Sequence, residues 1–553
     1  MEHKLVTLIE ESIKANWNRA AFTDFNGETL HYKDVARKIA KMHLLFEAAG
    51  IRKGDRIALC GRNCGNWCVA FLSVLTYGAV PVPILHEFKP DNVHHIVNHS
   101  EACLLFVGDR VWENLNEARM PALQGIINLK DFMTEVSRSK SLTYARMHLN
   151  ALFGQKYPMR FLPEHASYKV EHSEDDLAVI NYTSGTTGFS KGVMLPFRSL
   201  LSNVLFCQKS IGIEPGDNIV SMLPLGHVFG LVFDFLYGVC AGAHLHFLTR
   251  MPSPKIIMTT VADIHPRIIS TVPLVIEKII RQELLPKIDS KTAKLLLHIP
   301  GINEKIREKA LEKCMHLFGG NIKEIIIGGA PFNAQVEALL RKIKFPYSIA
   351  YGMTECGPII CHSTWQDTAF TSCGKAADGM QLKVLSNNPT TIPGELLCRG
   401  RNTMLGYFKN NEATKQVLDN NGWLHTGDMA IISTNGNVFI KGRCKNILLT
   451  ASGQNIYPEE IESLLNNQPY VSESLIIMNN QKLIALIYPD LIQSQHDGLD
   501  YNALSKLFNH MKQELNKQLP SFSQIYKVQI QTEEFEKTAK KSIKRHLYQT
   551  ANG

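Results

Sequence analysis

The stretch from Asn181 to Leu195 constrains this chain most: it is too polar for a core element, yet apolar segments frame it too closely for a linker. Upstream, Leu177-Ala178-Val179-Ile180 follows the acidic lead-in Glu174-Asp175-Asp176 and predicts a short buried strand. The apolar pattern then stops. Thr183, Ser184, Gly185, Thr186, Thr187 and Gly188 supply hydroxyls, backbone amides and two positions that tolerate φ > 0, and Lys191 adds one flexible positive charge. Clustered donors beside a cation suit a polyphosphate. The spacing is not that of a Walker loop, because Gly185 and Gly188 are three apart and Lys191 is followed by Gly192.

At 553 residues the chain is too long for one core and implies at least two domains. No apolar run approaches the roughly 20 residues that span a bilayer, and the run Leu5 to Ile9 is too short for a signal-peptide core, so a cytoplasmic location is expected. Twelve cysteines are scattered without a Cys-x-x-Cys pair. Cys60, Cys64 and Cys68 recur every four residues but lack partners at zinc spacing, and they read as small apolar groups at a strand–helix junction. A net charge of +8 is mild for this length. It does not point to nucleic acid and is compatible with small polyanions.

Along the first 90 residues helix and strand alternate: a helix over Tyr32–Ala49, a strand over Arg56–Cys60, an apolar helix from Cys68 to Tyr77 closed by Gly78, and a strand over Ala79–Pro83. That order implies a parallel sheet with crossover helices. Residues 130–170 are weakly patterned and basic and read as a surface excursion. Phe197 to Ile211 reads as a helix. Then Leu223-Pro224-Leu225-Gly226-His227-Val228-Phe229-Gly230 suggests a strand-to-helix elbow that aims a side chain into a cleft, ahead of an apolar stretch from Leu231 to Val239. Ile325-Ile326-Ile327 is a buried strand ending in Gly328-Gly329-Ala330-Pro331, which leaves room for a flat ring against the backbone. Tyr351-Gly352-Met353-Thr354-Glu355 offers a ring, a glycine, a hydroxyl and a carboxylate in five residues, enough to stack a base, bind a phosphate oxygen and hold Mg²⁺ beside it. From Gly374 to Gly442 short strands alternate with Asn/Gly turns, as in a small β-barrel-like subdomain. It contains Gly427-Asp428, a carboxylate on a tight turn.

Taken in order, these motifs resemble those of the adenylate-forming superfamily, which includes acyl-CoA synthetases, luciferases and peptide-synthetase adenylation domains. The resemblance covers nearly the whole chain. It implies an α/β fold: a large N-terminal domain (1–442) of two doubly wound sheets plus the barrel-like subdomain, and a small mobile α+β C-terminal domain (443–553). It implies that Thr183 to Gly188 with Lys191 form the phosphate loop, that Gly328 to Pro331 receive adenine, and that Tyr351, Gly352 and Met353 complete the nucleotide site. Thr354 would bind phosphate, Glu355 would be the catalytic and metal carboxylate, and Asp428 and Arg443 would hold the ribose. His227, Val228 and Phe229 would form the acyl pocket, Lys445 the hinge, and Gly453 the lining of the CoA tunnel. Asn446 stands where many relatives have Asp. The family's C-terminal catalytic lysine has no exact counterpart in Lys537-Thr538-Ala539-Lys540-Lys541-Ser542-Ile543-Lys544: gapless alignment puts Ser542 there, and Lys541 is the favoured substitute, ahead of Lys540 and Lys544.

The resemblance thus implies an ATP- and Mg²⁺-dependent ligase that joins a carboxylic acid to CoA, with a medium- or long-chain fatty acid as the expected substrate. An aryl acid, or an acyl carrier protein in place of CoA, are the neighbouring alternatives. A non-catalytic nucleotide- or acyl-binding relative is the alternative of another class. Any membrane contact would be peripheral.

Overall fold

The computed structural model describes residues 4–168, 172–183, 190–248, 254–284, 302–450, 454–538 and 543–549. A nine-stranded sheet dominates. Its order is Lys375–Ala376, Ile359–Thr364, Tyr347–Gly352, Glu324–Gly328, Ile268–Thr271, Asn218–Ser221, His244–Phe247, Ala20–Asp24, Thr29–His31. The six strands from Tyr347–Gly352 to Ala20–Asp24 run parallel, and antiparallel strands close both edges. Apolar residues alternate to both faces. Ile219, Ile268 and Ile326 enter one core, whereas Val220, Ile269, Ile325 and Ile327 enter another. The strand order reverses at Asn218–Ser221, whose successor in sequence lies on one side and Ile268–Thr271 on the other. In open parallel sheets, the crevice beyond the carboxyl ends at such a reversal is where ligands settle.

A five-stranded sheet orders Val80–Ile84, Arg56–Cys60, Ala102–Val107, Gly125–Asn128 and Thr134–Ser137, parallel except for the last. The expected helix Tyr32–Ala49 and strand Arg56–Cys60 have those bounds. Of the three spaced cysteines, Cys60 and Cys68 are buried, and the Cys64 sulfur caps helix Gly65–Tyr77 by accepting the Trp67 N–H at 3.4 Å.

The surface excursion needs correction. Lys140–Lys156 is a helix that buries Leu142, Ala145, Leu149 and Phe153 and packs on Tyr32–Ala49. Its outward face carries Tyr144 and Met147, both exposed, so the apolar periodicity that would have revealed it is smeared around the axis.

Leu177–Thr183 and Lys191–Pro196 pair antiparallel with Thr183 opposite Lys191, and Gly406–Tyr407 adds to the second strand. The segment expected to be barrel-like forms four antiparallel strands, Met380–Leu385, Gly394–Gly400, Leu424–Ile432 and Val438–Arg443. Beyond it, Val471–Asn479, Lys482–Pro489 and Ile525–Ile530 form a separate sheet, packed by helices Pro458–Asn466 and Tyr501–Asn516 around its own apolar cluster.

Candidate active site

Of the expected site residues, His227 to Phe229, Gly328 to Pro331 and Tyr351 to Glu355 follow or close parallel strands of the large sheet at their carboxyl ends. Gly328 pairs with Ala350, so the turn Gly328–Pro331 and the segment Tyr351–Glu355 leave neighbouring strands side by side. Gly329 has φ +89°. At Gly328 a Cβ would lie 2.9 Å from the Ala350 carbonyl oxygen and 3.2 Å from the Phe229 ring. Only a glycine leaves that floor flat, which fits a planar base. Gly352 is tighter still, because a Cβ there would lie 2.0 Å from the Pro358 carbonyl oxygen. Gly352→Ala is expected to cost about 1–3 kcal/mol by overpacking and to weaken ATP binding with it. Thermal unfolding and ATP titration of the same variant check this, and an unchanged Tm would refute the close approach.

Two chains of polar contacts converge on this strand end. Tyr351 donates its hydroxyl to Asp428 Oδ2 at 2.6 Å, and Arg443 Nε lies 2.8 Å from Asp428 Oδ1. Burial raises the Asp428 carboxyl above its ordinary value, while Arg443 and Tyr351 pull the other way. In the second chain, Tyr407 donates to Glu355 Oε1 at 2.7 Å, and Lys191 Nζ sits 4.7 Å from the Tyr407 ring centroid. Thr354 and Glu355 are both buried, and the Glu355 backbone carbonyl accepts the Met404 N–H at 2.9 Å. Among the described residues Tyr407 alone bonds the Glu355 carboxylate, which leaves that carboxylate suited to a hard divalent cation.

The elbow holding His227 is clamped from two other sheets. Asn63, just beyond strand Arg56–Cys60, donates to the Leu223 carbonyl at 2.7 Å and accepts the Leu225 N–H at 2.9 Å. Asn181 donates to the Gly226 carbonyl at 3.0 Å. His227 Nδ1 accepts the Phe229 N–H at 3.3 Å, which fixes the ring against its own backbone. Val228 and Phe229 are buried and lead into a π-helical turn, Gly230–Leu236, with Phe229 and Phe233 edge-to-face at 5.2 Å. Such turns are uncommon and frequently mark functional positions.

Several expectations fall outside the described residues: Ser184, Gly185, Thr186, Thr187 and Gly188 of the phosphate loop, Gly453, and the lysines Lys540 and Lys541 with Ser542. Their flanks are described. Thr183 pairs with Lys191, and Lys537 bridges to Ile543. Lys537 is paired with Glu473 at 2.8 Å and Lys544 with Glu536 at 3.1 Å, so neither is a free charge. Lys445 is exposed, and burial of its stem together with nearby Arg443 lowers its ammonium. Asn446 donates to Glu459 at 2.5 Å. An ionised Asp there could not donate, which accounts for the amide at this position.

Sequence reasoning missed Tyr407, Asn63 and Asp234. Tyr407 lies in a two-residue strand with no pattern to mark it. Asp234 was absorbed into an apolar stretch. It is fully buried, over a sheet face where Ser221, Ser270 and Ser348 are also buried. Burial pushes its carboxyl up to about 7; the serines temper the shift, but among the described residues no partner stands in hydrogen-bonding geometry to either oxygen. A carboxyl raised on folding costs stability as it ionises. The native state is therefore expected to weaken as pH rises from about 3.8 towards about 7. Asp234→Asn should match the parent's Tm near pH 4 and exceed it near pH 8. An equal difference at both values would show that this group does not titrate.

The family profile described as AMP-binding enzyme matches residues 9–408, and the AMP-binding enzyme C-terminal domain matches 445–551. The chain belongs to the AMP-binding enzyme family. Among curated relatives of this AMP-binding enzyme, a long-chain-fatty-acid–CoA ligase of Escherichia coli O157:H7 is 27% identical over 498 residues, covering 85% of this chain and 82% of the relative. The anthranilate CoA ligase AuaEII, solved with anthranoyl-AMP, superposes with TM-score 0.79 at 19% identity, over 99% of this chain and 96% of that one. The o-succinylbenzoate CoA synthetase of Bacillus subtilis, solved with ATP and magnesium, gives TM-score 0.73 at 19% identity over 98% of both chains. These structural likenesses bear on the fold: a large mixed α/β N-terminal domain followed by a smaller C-terminal one.

Proposed function

We propose that this AMP-binding enzyme is an AMP-forming ligase that activates a medium- or long-chain fatty acid with ATP and transfers the acyl group to CoA. One observation carries the reading: Tyr351 and Glu355, on a single strand end, reach the Asp428–Arg443 pair on one side and the Tyr407–Lys191 pair on the other. That arrangement offers a ribose acceptor, a metal carboxylate and a phosphate-facing cation around a flat glycine floor.

In the first step the acid's carboxylate oxygen attacks the α-phosphorus. A C–O–P linkage forms, the bond to the β-phosphate oxygen breaks, and pyrophosphate leaves. Thr354 and Lys191, with the loop Thr183–Gly188 and Lys541, lower the energy of the charge that develops on the phosphates. Magnesium held by Glu355 would supply Lewis-acid neutralisation of that charge. In the second step the C-terminal domain turns about Lys445, Gly453 admits the pantetheine, and the thiolate sulfur attacks the acyl carbon and expels AMP. His227, Val228 and Phe229 wall the acyl end. Their apolar surroundings, and the names of the relatives, support a fatty acid. The Phe229 ring against Gly328 is the observation that keeps an aryl acid as the second reading. Among the described residues no helix is long and apolar enough to cross a membrane, and we place the enzyme in the cytoplasm.

Pyrophosphate release across a panel of acids, with and without CoA, tests the proposal. Release that requires both a fatty acid and CoA is expected. Acid-dependent release of about one equivalent, unmoved by CoA, would point instead to a carrier-protein acceptor. Lys541→Ala should abolish release while leaving thioester formation from supplied acyl-adenylate; an active Lys541→Ala with an inactive Lys540→Ala would move the role by one residue.

A further inference from the structure

The C-terminal segment to which the proposed function gives a catalytic lysine is anchored on both sides of Lys541. Lys537 and Ile543 pair as an isolated antiparallel bridge, so the described residues that flank Lys541 lie next to each other. Phe535 is buried and meets Tyr548 edge-to-face at 5.2 Å. The Tyr548 hydroxyl accepts the Glu536 N–H at 2.8 Å, and the Lys544 N–H donates to the Glu536 carbonyl at 2.8 Å. On the first leg, Lys537 pairs with Glu473 of strand Val471–Asn479 at 2.8 Å.

The second leg is tied to a different element. The Arg545 side chain is only 17% exposed; it pairs with Glu462 Oε2 and lies 3.8 Å from Glu459 Oε1, and both acids belong to helix Pro458–Asn466. Glu462 is buried, and its other oxygen accepts the Ile476 N–H at 2.6 Å. Burial raises its carboxyl, and Arg545 and that N–H oppose the shift. A buried carboxylate satisfied at both oxygens holds the small domain together. Glu459 faces the hinge instead. Its Oε1 accepts the Asn446 amide at 2.5 Å, one residue after Lys445. Its Oε2 lies over Gly442, three residues before Lys445, where a Cβ would come within 2.6 Å of it. That oxygen is buried without a hydrogen-bond partner among the described residues. The Glu459 carboxylate thus touches the chain on both sides of Lys445 and Arg545 as well.

We propose that Arg545 and Glu459 are positioning residues for adenylate formation. Glu459, lodged between Gly442 and Asn446, sets where Arg545 holds the C-terminal leg, and so where the segment carrying Lys541 stands relative to the hinge. A turn about Lys445 would carry Asn446, Glu459 and Arg545 together and lift Glu459 off Gly442. Loosening either residue should therefore slow the half-reaction that uses the lysine segment and spare the other. The two acids divide their tasks: Glu462 serves the fold, Glu459 the placement. The inference rests on the assignment of the lysine segment to adenylate formation made above.

Arg545→Gln and Glu459→Gln in the full-length enzyme test this. Glu459→Gln keeps an oxygen for Asn446 and leaves the Arg545–Glu462 pair whole, so its Tm should match the parent's. Each variant should release pyrophosphate about tenfold more slowly, in keeping with a small displacement of a reacting group, while ATP affinity and thioester formation from supplied acyl-adenylate stay within about twofold of the parent. The double variant should be no slower than the slower single one, because the two residues form one link. Arg545→Lys should recover part of the loss. Hydrogen exchange gives a readout that needs no turnover: in Glu459→Gln the amides of residues 444–449 and 543–548 should exchange faster than the parent's, and those of strand Lys482–Pro489 should not. Equal losses in both half-reactions, multiplying losses in the double variant, or parental exchange in those two segments would each overturn the proposal. A parent that releases no pyrophosphate with any acid would refute the proposed function, and the exchange comparison would still decide whether Glu459 couples the hinge to the C-terminal leg.

Discussion

Glu355→Gln is expected to lower the rate of adenylate formation about a thousandfold, the loss of several kcal/mol that removal of a metal's charge from a phosphoryl transition state entails. The substitution keeps the shape of the side chain and an oxygen to accept the Tyr407 hydroxyl, now at 2.7 Å from Oε1. What disappears is the negative charge, in a site buried enough that water does not replace it. The Tm should therefore stay close to the parent's. The Mg²⁺ concentration giving half-maximal rate should rise steeply, and the ATP affinity measured without metal should change little. A parental Mg²⁺ dependence in the variant would remove Glu355 from the metal site and direct attention to the phosphates alone.

Asp428→Asn should act on binding. A charged acceptor contributes about 1.5–3 kcal/mol per hydrogen bond; if two ribose hydroxyls lose that partner, KM for ATP should rise about a hundredfold or more. Stability should not fall in step. Because burial raises the Asp428 carboxyl, ionisation of this group costs the folded state something at neutral pH, and an amide avoids that cost. Arg443, about half exposed, keeps water as a partner when the ion pair goes. Isothermal titration with ATP alongside thermal unfolding separates the two effects. A variant that binds ATP normally but melts early would recast Asp428 as a structural anchor for Tyr351.

Much of this arrangement is legible in the chain because its motifs sit where strands end. Tyr351-Gly352-Met353-Thr354-Glu355 and Gly328-Gly329-Ala330-Pro331 each follow an apolar run, and parallel pairing of those runs is what sets them side by side. Helix Tyr32–Ala49 and strand Arg56–Cys60 are equally plain, since each has one consistent period. Three features are not. Tyr407 reaches Glu355 from 52 positions away through a two-residue strand, and no local pattern reports such a contact. Asn63 holds the His227 elbow from the other sheet, a relation that exists only after both sheets have formed. Asp234 hides because one acid among eight apolar or small neighbours scarcely alters the hydropathy of Leu231 to Val239, although it alters the electrostatics there decisively.

The buried apolar clusters divide at the segment around Lys445. Those built from residues up to Val438 contain nothing from beyond it, and those built from Ile456 onward contain nothing from before it. Among the described residues, the links that cross are polar: Lys441 to Glu460 at 2.8 Å, Arg281 to the Asn466 carbonyl at 3.5 Å, and Asn333 to Asn467. Separating the two parts would thus split none of these apolar clusters. Of these links Lys441–Glu460 is the ion pair, and an exposed ion pair fades as the Debye length contracts from about 10 Å at 0.1 M salt to about 3 Å at 1 M. If the small part reorients as proposed, salt should ease its release through the Lys441–Glu460 pair, with hardly any effect on the melting of either part by itself.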